Sequence, residues 1–310
     1  MHLLGAETGG TLRVLVIVNP SSGGGHAGRA RPHVEALLRK CGIGATFAES
    51  KGTEHVAELA LTATAGCVDV LAVLGGDGTF HHAVNAAYEH NLRFAFFPAG
   101  NGNDIARGLG IPLDPVAAAH AFLRGRERAI DLARVRVADG STHVFLAAGG
   151  MGLDALTAHL VNGRFRRFPG TLRYISAALW SLRNFCPFEM EMQLDAGEPF
   201  CFGPALFAAV ANGPVYGSGV CIAPEARMDD GLLELTLIPE LPFLRVLDAL
   251  PIVLTSGDLR WPEIRRERAR RIVLRPLNTS TPPLFHGDGE VLGETPVEIE
   301  VLPRALYVMA

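Results

Sequence analysis

Val70-Leu71-Ala72-Val73-Leu74-Gly75-Gly76-Asp77-Gly78-Thr79-Phe80 joins an unbroken apolar run to a glycine-dense turn that carries one carboxylate. Apolar residues without alternation are buried on both faces, the mark of a strand inside a parallel sheet covered by helices. Glycines at the end of such a strand let backbone N–H groups approach an anion, because no Cβ intervenes and positive φ is tolerated. Asp77 would repel that anion, so a carboxylate kept there points to a bound Mg2+ or to a proton acceptor. The glycines alone fit a plain strand-to-helix turn equally well.

Two more segments end apolar runs in the same way. Val18-Asn19-Pro20-Ser21-Ser22-Gly23-Gly24-Gly25 follows Leu15 to Val18, and Ala99-Gly100-Asn101-Gly102-Asn103-Asp104 follows Phe96-Phe97-Pro98. Each alone reads as punctuation. At consecutive ends of neighbouring parallel strands, all three open on one edge and form a cradle for phosphates. Helical spacing supports this alternation: Val34, Leu37 and Leu38 predict a helix over 27–41, Thr53 caps one carrying Val56, Leu59 and Ala60, and another runs from Asp114 to Leu123.

After Asp131 the pattern changes. Val135 and Val137 face His143 and Phe145 across Asp139-Gly140, Met190, Met192 and Leu194 alternate before a turn at 195–198, and 207–210, 232–238, 272–274 and 297–301 read as strands. The fold expected is α/β: an N-terminal parallel-sheet nucleotide-binding domain over 1–130, a C-terminal antiparallel β-rich domain over 131–303, and the active site in the cleft between.

The three loops, in this order and spacing, resemble the catalytic domain shared by diacylglycerol kinases, sphingosine kinases and soluble bacterial lipid kinases. Met228-Asp229-Asp230-Gly231-Leu232-Leu233-Glu234 and His286-Gly287-Asp288-Gly289-Glu290 match later motifs of that family, so the resemblance spans nearly the whole chain. A Gly-Gly-Asp-Gly-Thr loop also occurs in NAD kinases; Asn19-Pro20-Ser21-Ser22-Gly23 and Gly102-Asn103-Asp104-Ile105-Ala106-Arg107 favour the lipid kinases. The resemblance implies ATP as donor, held by the first loop (Asn19, Pro20, Ser21, Ser22, Gly23), the second (Gly75, Gly76, Asp77, Gly78, Thr79, with Phe80 and His81) and the third (Asn101, Asn103, Asp104). It implies a structural Mg2+ on Asp230 with the backbone carbonyls of Arg227 and Leu232, and a return of residues 304–310 to the first domain. Two positions depart from the family: Asn101 and Ala48 stand where bacterial members often have Thr, and both concern nucleotide contacts.

Phosphoryl transfer needs a phosphate cradle, a divalent cation and a group that takes the proton of the attacking hydroxyl. No Gly-Lys-Ser/Thr sequence is present, so the donor is not held by a P-loop. Two carboxylates compete for the proton. Glu290 matches the proton acceptor proposed for bacterial members, and Asp77, its rival, is otherwise assigned to holding donor, metal or base. Asn103 and Asp104 read equally as residues stabilising their own turn. The expected function is an ATP- and Mg2+-dependent lipid kinase acting on a hydroxyl of diacylglycerol or a related lipid. A kinase of a soluble acceptor such as NAD, and a non-catalytic nucleotide- or lipid-binding regulator, are the alternatives.

The hydrophobic fraction of 48% against 19% charged suits buried sheet or work at a lipid surface, and a net charge of −4 argues against nucleic-acid partners. Cys41, Cys67, Cys186, Cys201 and Cys221 form no CxxC pair and are expected reduced, as in the cytoplasm. No run is long enough to span a bilayer, and residues 1–11 lack a signal pattern, so a lipid substrate implies transient, peripheral membrane contact. Arg164-Phe165-Arg166-Arg167-Phe168, ahead of Leu172, Ile175, Ala178, Leu179 and Leu182, reads as a helix packed on the β domain or one facing anionic lipid. The arginine-rich run 260–271 reads as a solvated loop or strand lead. Oligomeric state stays open, a homodimer included.

Overall fold

The structure, a computed structural model, describes residues 12–66, 68–153, 176, 180–181, 183–217, 219–242, 245, 248, 261–279 and 281–310. The basic stretch 164–168 and all five residues of the apolar stripe after it lie outside these residues. The first half alternates: β1 (Arg13–Val18), α1 (Ser22–Lys40), β2 (Gly44–Glu49), α2 (Thr53–Ala63), β3 (Val70–Gly75), α3 (Asp77–Ala87), β4 (Arg93–Pro98), α4 (Asp104–Leu109) and α5 (Pro115–Phe122). Strands run parallel in the order β2-β1-β3-β4, with Val14 opposite Val70 and Leu74 opposite Phe97. Val16, Ile17, Val18 and Leu71 to Leu74 are wholly buried, as continuous apolar strands require.

Phe80 anchors α3 to this sheet. Its ring stacks on Phe96 at 4.6 Å and meets Phe94 edge-on at 6.2 Å, a burial worth about 1.5–3 kcal/mol. The side chain of Asp114 accepts the N–H of Ala117 (2.8 Å) and caps α5 ahead of Pro115. α2 starts with Gly52 at its cap position, so Thr53 is already inside the first turn. β2 escapes sequence reading because Gly-Ala-Thr-Phe-Ala-Glu, on the sheet edge and half exposed, needs no apolar run.

The second half is antiparallel: β5 (Glu127–Arg136), β6 (Thr142–Phe145), β7 (Ala148–Gly152), β8 (Phe188–Leu194), β9 (Phe200–Ala211), a small ribbon of β10 (Val215–Tyr216) and β11 (Val220–Cys221), then β12 (Leu233–Pro239), β13 (Arg265–Ala269), β14 (Arg271–Leu277), β15 (Leu284–Gly287), β16 (Glu290–Glu294) and β17 (Val297–Met309). β7 is Ala-Gly-Gly-Met-Gly, with no strand propensity. A Cβ on Gly149 would lie 2.6 Å from His286 O, and one on Gly150 2.9 Å from Ala208 O, so the strand packs where only bare backbone fits. The run 260–271 is a strand lead: 261–264 turn into β13, and β13 and β14 meet at Arg270. Arg265 bonds Glu267 (2.8 Å) and lies 4.4 Å over the Phe200 ring, and Arg271 bonds Glu298 (2.7 Å).

The halves share strands. β17 pairs first with β14 and with β5; its last residues, Tyr307–Met309, run parallel to Arg93–Ala95 of β4 while still paired to β5. The register shifts between Leu302 and Leu306, where Arg304 adopts φ 53° and donates its N–H to Asp131 Oδ1 (2.7 Å). Asp131 is fully buried and takes the N–H of Gly231 on Oδ2 (2.7 Å), while Asn212 Nδ2 donates to its carbonyl (2.9 Å). One carboxylate thus joins β5, the bulge of β17 and the loop before β12.

Candidate active site

The three glycine loops meet at the C-terminal ends of β1, β3 and β4. A Cβ on Gly100 would stand 2.7 Å from Gly76 Cα, one on Gly23 would stand 2.2 Å from Ala99 O, and one on Gly76 would stand 3.1 Å from Ser22 Oγ. Side chains are therefore excluded where the loops touch. Asn19 Nδ2 donates to Thr79 Oγ1 (3.1 Å) and Ser21 Oγ to Asn19 Oδ1 (2.8 Å), tying the first loop to the second. Gly23, Gly24 and Gly25 follow one another in the left-handed region (φ 57°, 62° and 87°) before α1 becomes regular. A Cβ at Gly24 would meet no atom within 4 Å. The Gly25 N–H is donated to Ser21 O (3.2 Å), and the open side of Gly24, beside the N-terminus of α3, leaves a concavity for an anion.

Asp77 opens α3 and closes α4. Its Oδ2 accepts the N–H of Asp104 and its Oδ1 that of Ile105, both at 3.2 Å. Asn103, at the cap position of α4, has φ 56°, and its amide is spent on Gly100, accepting its N–H (2.9 Å) and donating to its carbonyl (3.0 Å). Asp77 caps the helix in its place. Burial, then the Asp104 charge, push the Asp77 carboxyl up to about 6, against the pull of the two amides.

Glu290 reaches the same loop from the other half. Gly287 and Glu290 pair across Asp288-Gly289, both left-handed (φ 52° and 88°), as in the type I′ turn that Asp-Gly favours. The Asp288 side chain is fully buried and accepts the N–H groups of Leu146 and Ala147 (both 2.8 Å), with His81 Nδ1 at 3.0 Å. The turn so held sets the Glu290 Oε1 over the second loop, 2.5 Å from where a Cβ on Gly78 would be. Glu290 Oε2 lies 3.7 Å from His82 Nε2. His82, ahead of burial, holds the Glu290 carboxyl below the usual range. Asn85 completes the join, donating to Val144 O (2.8 Å) and accepting Val144 N–H (2.8 Å).

The expected donor residues divide. Asn19, Pro20, Ser21, Ser22 and Gly23 form the rim of the first loop, Gly75 to Thr79 form the second, and Asn101 is exposed on the third. Phe80 and His81 are not at the loop surface: Phe80 is core, and His81, 2% exposed, is committed to Asp288. His82 and Asn85 join the site without having been singled out, and Asp288, quoted only as part of its turn, anchors it, because their partners are remote in sequence.

Residues 13–135 match the family described as diacylglycerol kinase catalytic domain, and residues 147–310 match the YegS C-terminal NAD kinase beta sandwich-like domain. The chain belongs to the diacylglycerol kinase family. A diacylglycerol kinase of Mycobacterium tuberculosis is 29% identical over 96% of this chain and 94% of its own. A "Probable lipid kinase YegS-like" of Chromohalobacter salexigens is 30% identical over 68% of this chain and 69% of its own. The crystal structure of a diacylglycerol kinase of Bacillus anthracis (strain Sterne) superposes with a TM-score of 0.72 at 21% identity, covering 96% of each chain. The protein is thus a lipid kinase with an N-terminal parallel sheet and a C-terminal antiparallel β-rich domain.

The side chains that the resemblance names around a structural Mg2+ are engaged within the chain itself. Asp230 does not present a bare carboxylate: its Oδ2 carries the guanidinium of Arg268 from β13, and its Oδ1 accepts the N–H of Leu232 (3.1 Å). Arg227 turns its side chain to Asp229 (3.3 Å), which also faces Arg128 (3.6 Å). Among the described residues no group of three or more His, Cys, Asp or Glu is placed to hold an ion. The loop of this kinase, as it stands, does not fit a structural dication.

Proposed function

We propose that this kinase moves the γ-phosphoryl group of ATP to a hydroxyl of diacylglycerol or a related lipid. The observation that carries the reading is the Glu290 carboxylate seated over Gly78, a proton acceptor brought from the β-rich half onto the turn where the donor phosphates would end. The amides of Gly23 and Gly24 and the start of α3 hold the donor phosphates, with Ser21, Ser22 and Thr79 hydroxyls beside them. Mg2+ brought with the donor would supply positive charge against its phosphates at the edge where Asp77 stands. Glu290, held below the usual carboxylate range, is ionised at neutral pH and takes the acceptor proton as the acceptor oxygen bonds to the γ-phosphorus and the bond from that phosphorus to the departing ADP oxygen breaks. Asp77 fixes the third loop through the amides of α4 and so holds the donor edge in place for Glu290.

Among the described residues no helix is long and apolar enough to cross a membrane. For a lipid acceptor we read the contact with the membrane as peripheral and transient. The test is transfer of labelled γ-phosphate from ATP and Mg2+ to micelle-dispersed lipids and to NAD, with Asp77→Asn and Glu290→Gln proteins as controls. Labelled lipid lost in both variants supports the reading and names the acceptor; label on NAD alone overturns it.

A further inference from the structure

The loop 227–232 already holds positive charge where a structural cation would sit. Asp230 carries the guanidinium of Arg268, and Asp229 beside it faces Arg227 and Arg128. The remaining expected ligands, the carbonyls of Arg227 and Leu232, carry no charge. A small dication binds through carboxylates and sheds its water reluctantly; here it would have to expel an arginine from the one carboxylate offered to it and then sit among the others.

The guanidinium also does mechanically what a bound ion would do. Arg268 lies on β13 and Asp230 in the loop before β12, so the pair closes the loop onto the sheet. The same loop packs Met228 Sδ against α4, 3.0 Å from where a Cβ on Gly108 would be, and Arg128 donates to Leu109 O at the far end of that helix (2.9 Å). The first amides of α4 are those bound by Asp77. We propose that in this chain Arg268 replaces the structural divalent cation, its side chain supplying the positive charge that ties the Asp230 loop to the β sheet and steadies α4. The divalent requirement of the kinase is then confined to the ion that travels with the donor.

The inference goes beyond the kinase reading and is tested without it, by thermal unfolding of the full, nucleotide-free chain in EDTA and in millimolar MgCl2. The expected result is one Tm for the wild type in both buffers. Arg268→Met melts about 2–4 °C lower in EDTA and regains the loss with MgCl2, because Asp230 is then open to a cation. The double variant Arg268→Met with Asp230→Asn gains nothing from MgCl2. A wild-type Tm that falls in EDTA and returns with Mg2+, an Arg268→Met protein that melts like wild type, or one whose loss ignores Mg2+ overturns the proposal. Should Arg268→Met fail to fold, Arg268→Lys decides: it stays indifferent to EDTA if a side-chain charge fills the site, and becomes Mg2+-dependent if the site needs a metal. Neither donor nor acceptor is present, so the outcome stands whatever the transfer assay gives.

Discussion

Glu290 divides its two oxygens between neighbours, and that division sets its chemistry. Oε1 lies over Gly78, and Oε2 lies 3.7 Å from His82 Nε2, too far for a hydrogen bond and near enough for charge to act. Glu290→Gln is expected to lower kcat by about 10²–10⁴-fold and leave the KM for ATP nearly unchanged, as loss of a proton acceptor should. The acid limb of the pH–rate profile gives a separate reading. Activity that needs the ionised carboxylate falls as pH drops through its depressed pKa. In His82→Ala that pKa rises, so the limb should move to higher pH; an unmoved limb would show that His82 does not hold the charge. Asp77 carries the opposite sign. Its folded pKa near 6 lies above the unfolded 3.8, so its contribution is complete below pH 3.8 and is lost as pH rises through 6. In metal-free protein, stability should fall by up to about 3 kcal/mol across that window, and Asp77→Asn should flatten the slope measured by denaturant unfolding.

At the scale of elements, the donor edge is three loops pressed together through glycine. Gly100→Ala puts a methyl 2.7 Å from the Gly76 backbone, where no flexible side chain can yield. The second and third loops must separate, and nucleotide affinity, read by calorimetry, should fall tenfold or more, on the order of 1–3 kcal/mol for an overpacked contact. The hairpin that carries Glu290 depends on Asp288. Asp288→Ala leaves the amides of Leu146 and Ala147 and the buried His81 ring without their acceptor, a loss of about 3 kcal/mol or more that should show in Tm and in kcat together. The loops were legible because each is a local event, an apolar run followed by a glycine turn. The ties were not: Asn85 bonds a carbonyl 59 residues away, and His81 a carboxylate 207 residues away. No short window of sequence contains both ends of such a bond.

At the scale of the molecule, the antiparallel second half was foreseen from alternation and Asp-Gly turns, whereas β7 was not, since three glycines in five residues argue against a strand until packing demands them. The fastening of the two halves was equally hidden, because it rests on a carboxylate with nothing to mark it. Asp131→Ala should cost about 3–5 kcal/mol, since the amides of Gly231 and Arg304 lose a charged acceptor in a fully buried place, and both halves should lose stability in one transition by calorimetry. Two half-independent transitions would show that the shared strands do not couple them.

β17 has a consequence for the order of assembly on the ribosome. The sheet that forms the donor edge takes Tyr307–Met309 as a neighbour of β4, although every other strand on that side is made within the first hundred residues or so. A nascent chain therefore holds the first-made half with a free strand edge until residue 309 has left the exit tunnel, and that interval is when the edge is open to the wrong partner. The half synthesised first is completed last, so vectorial synthesis gives it no early finish.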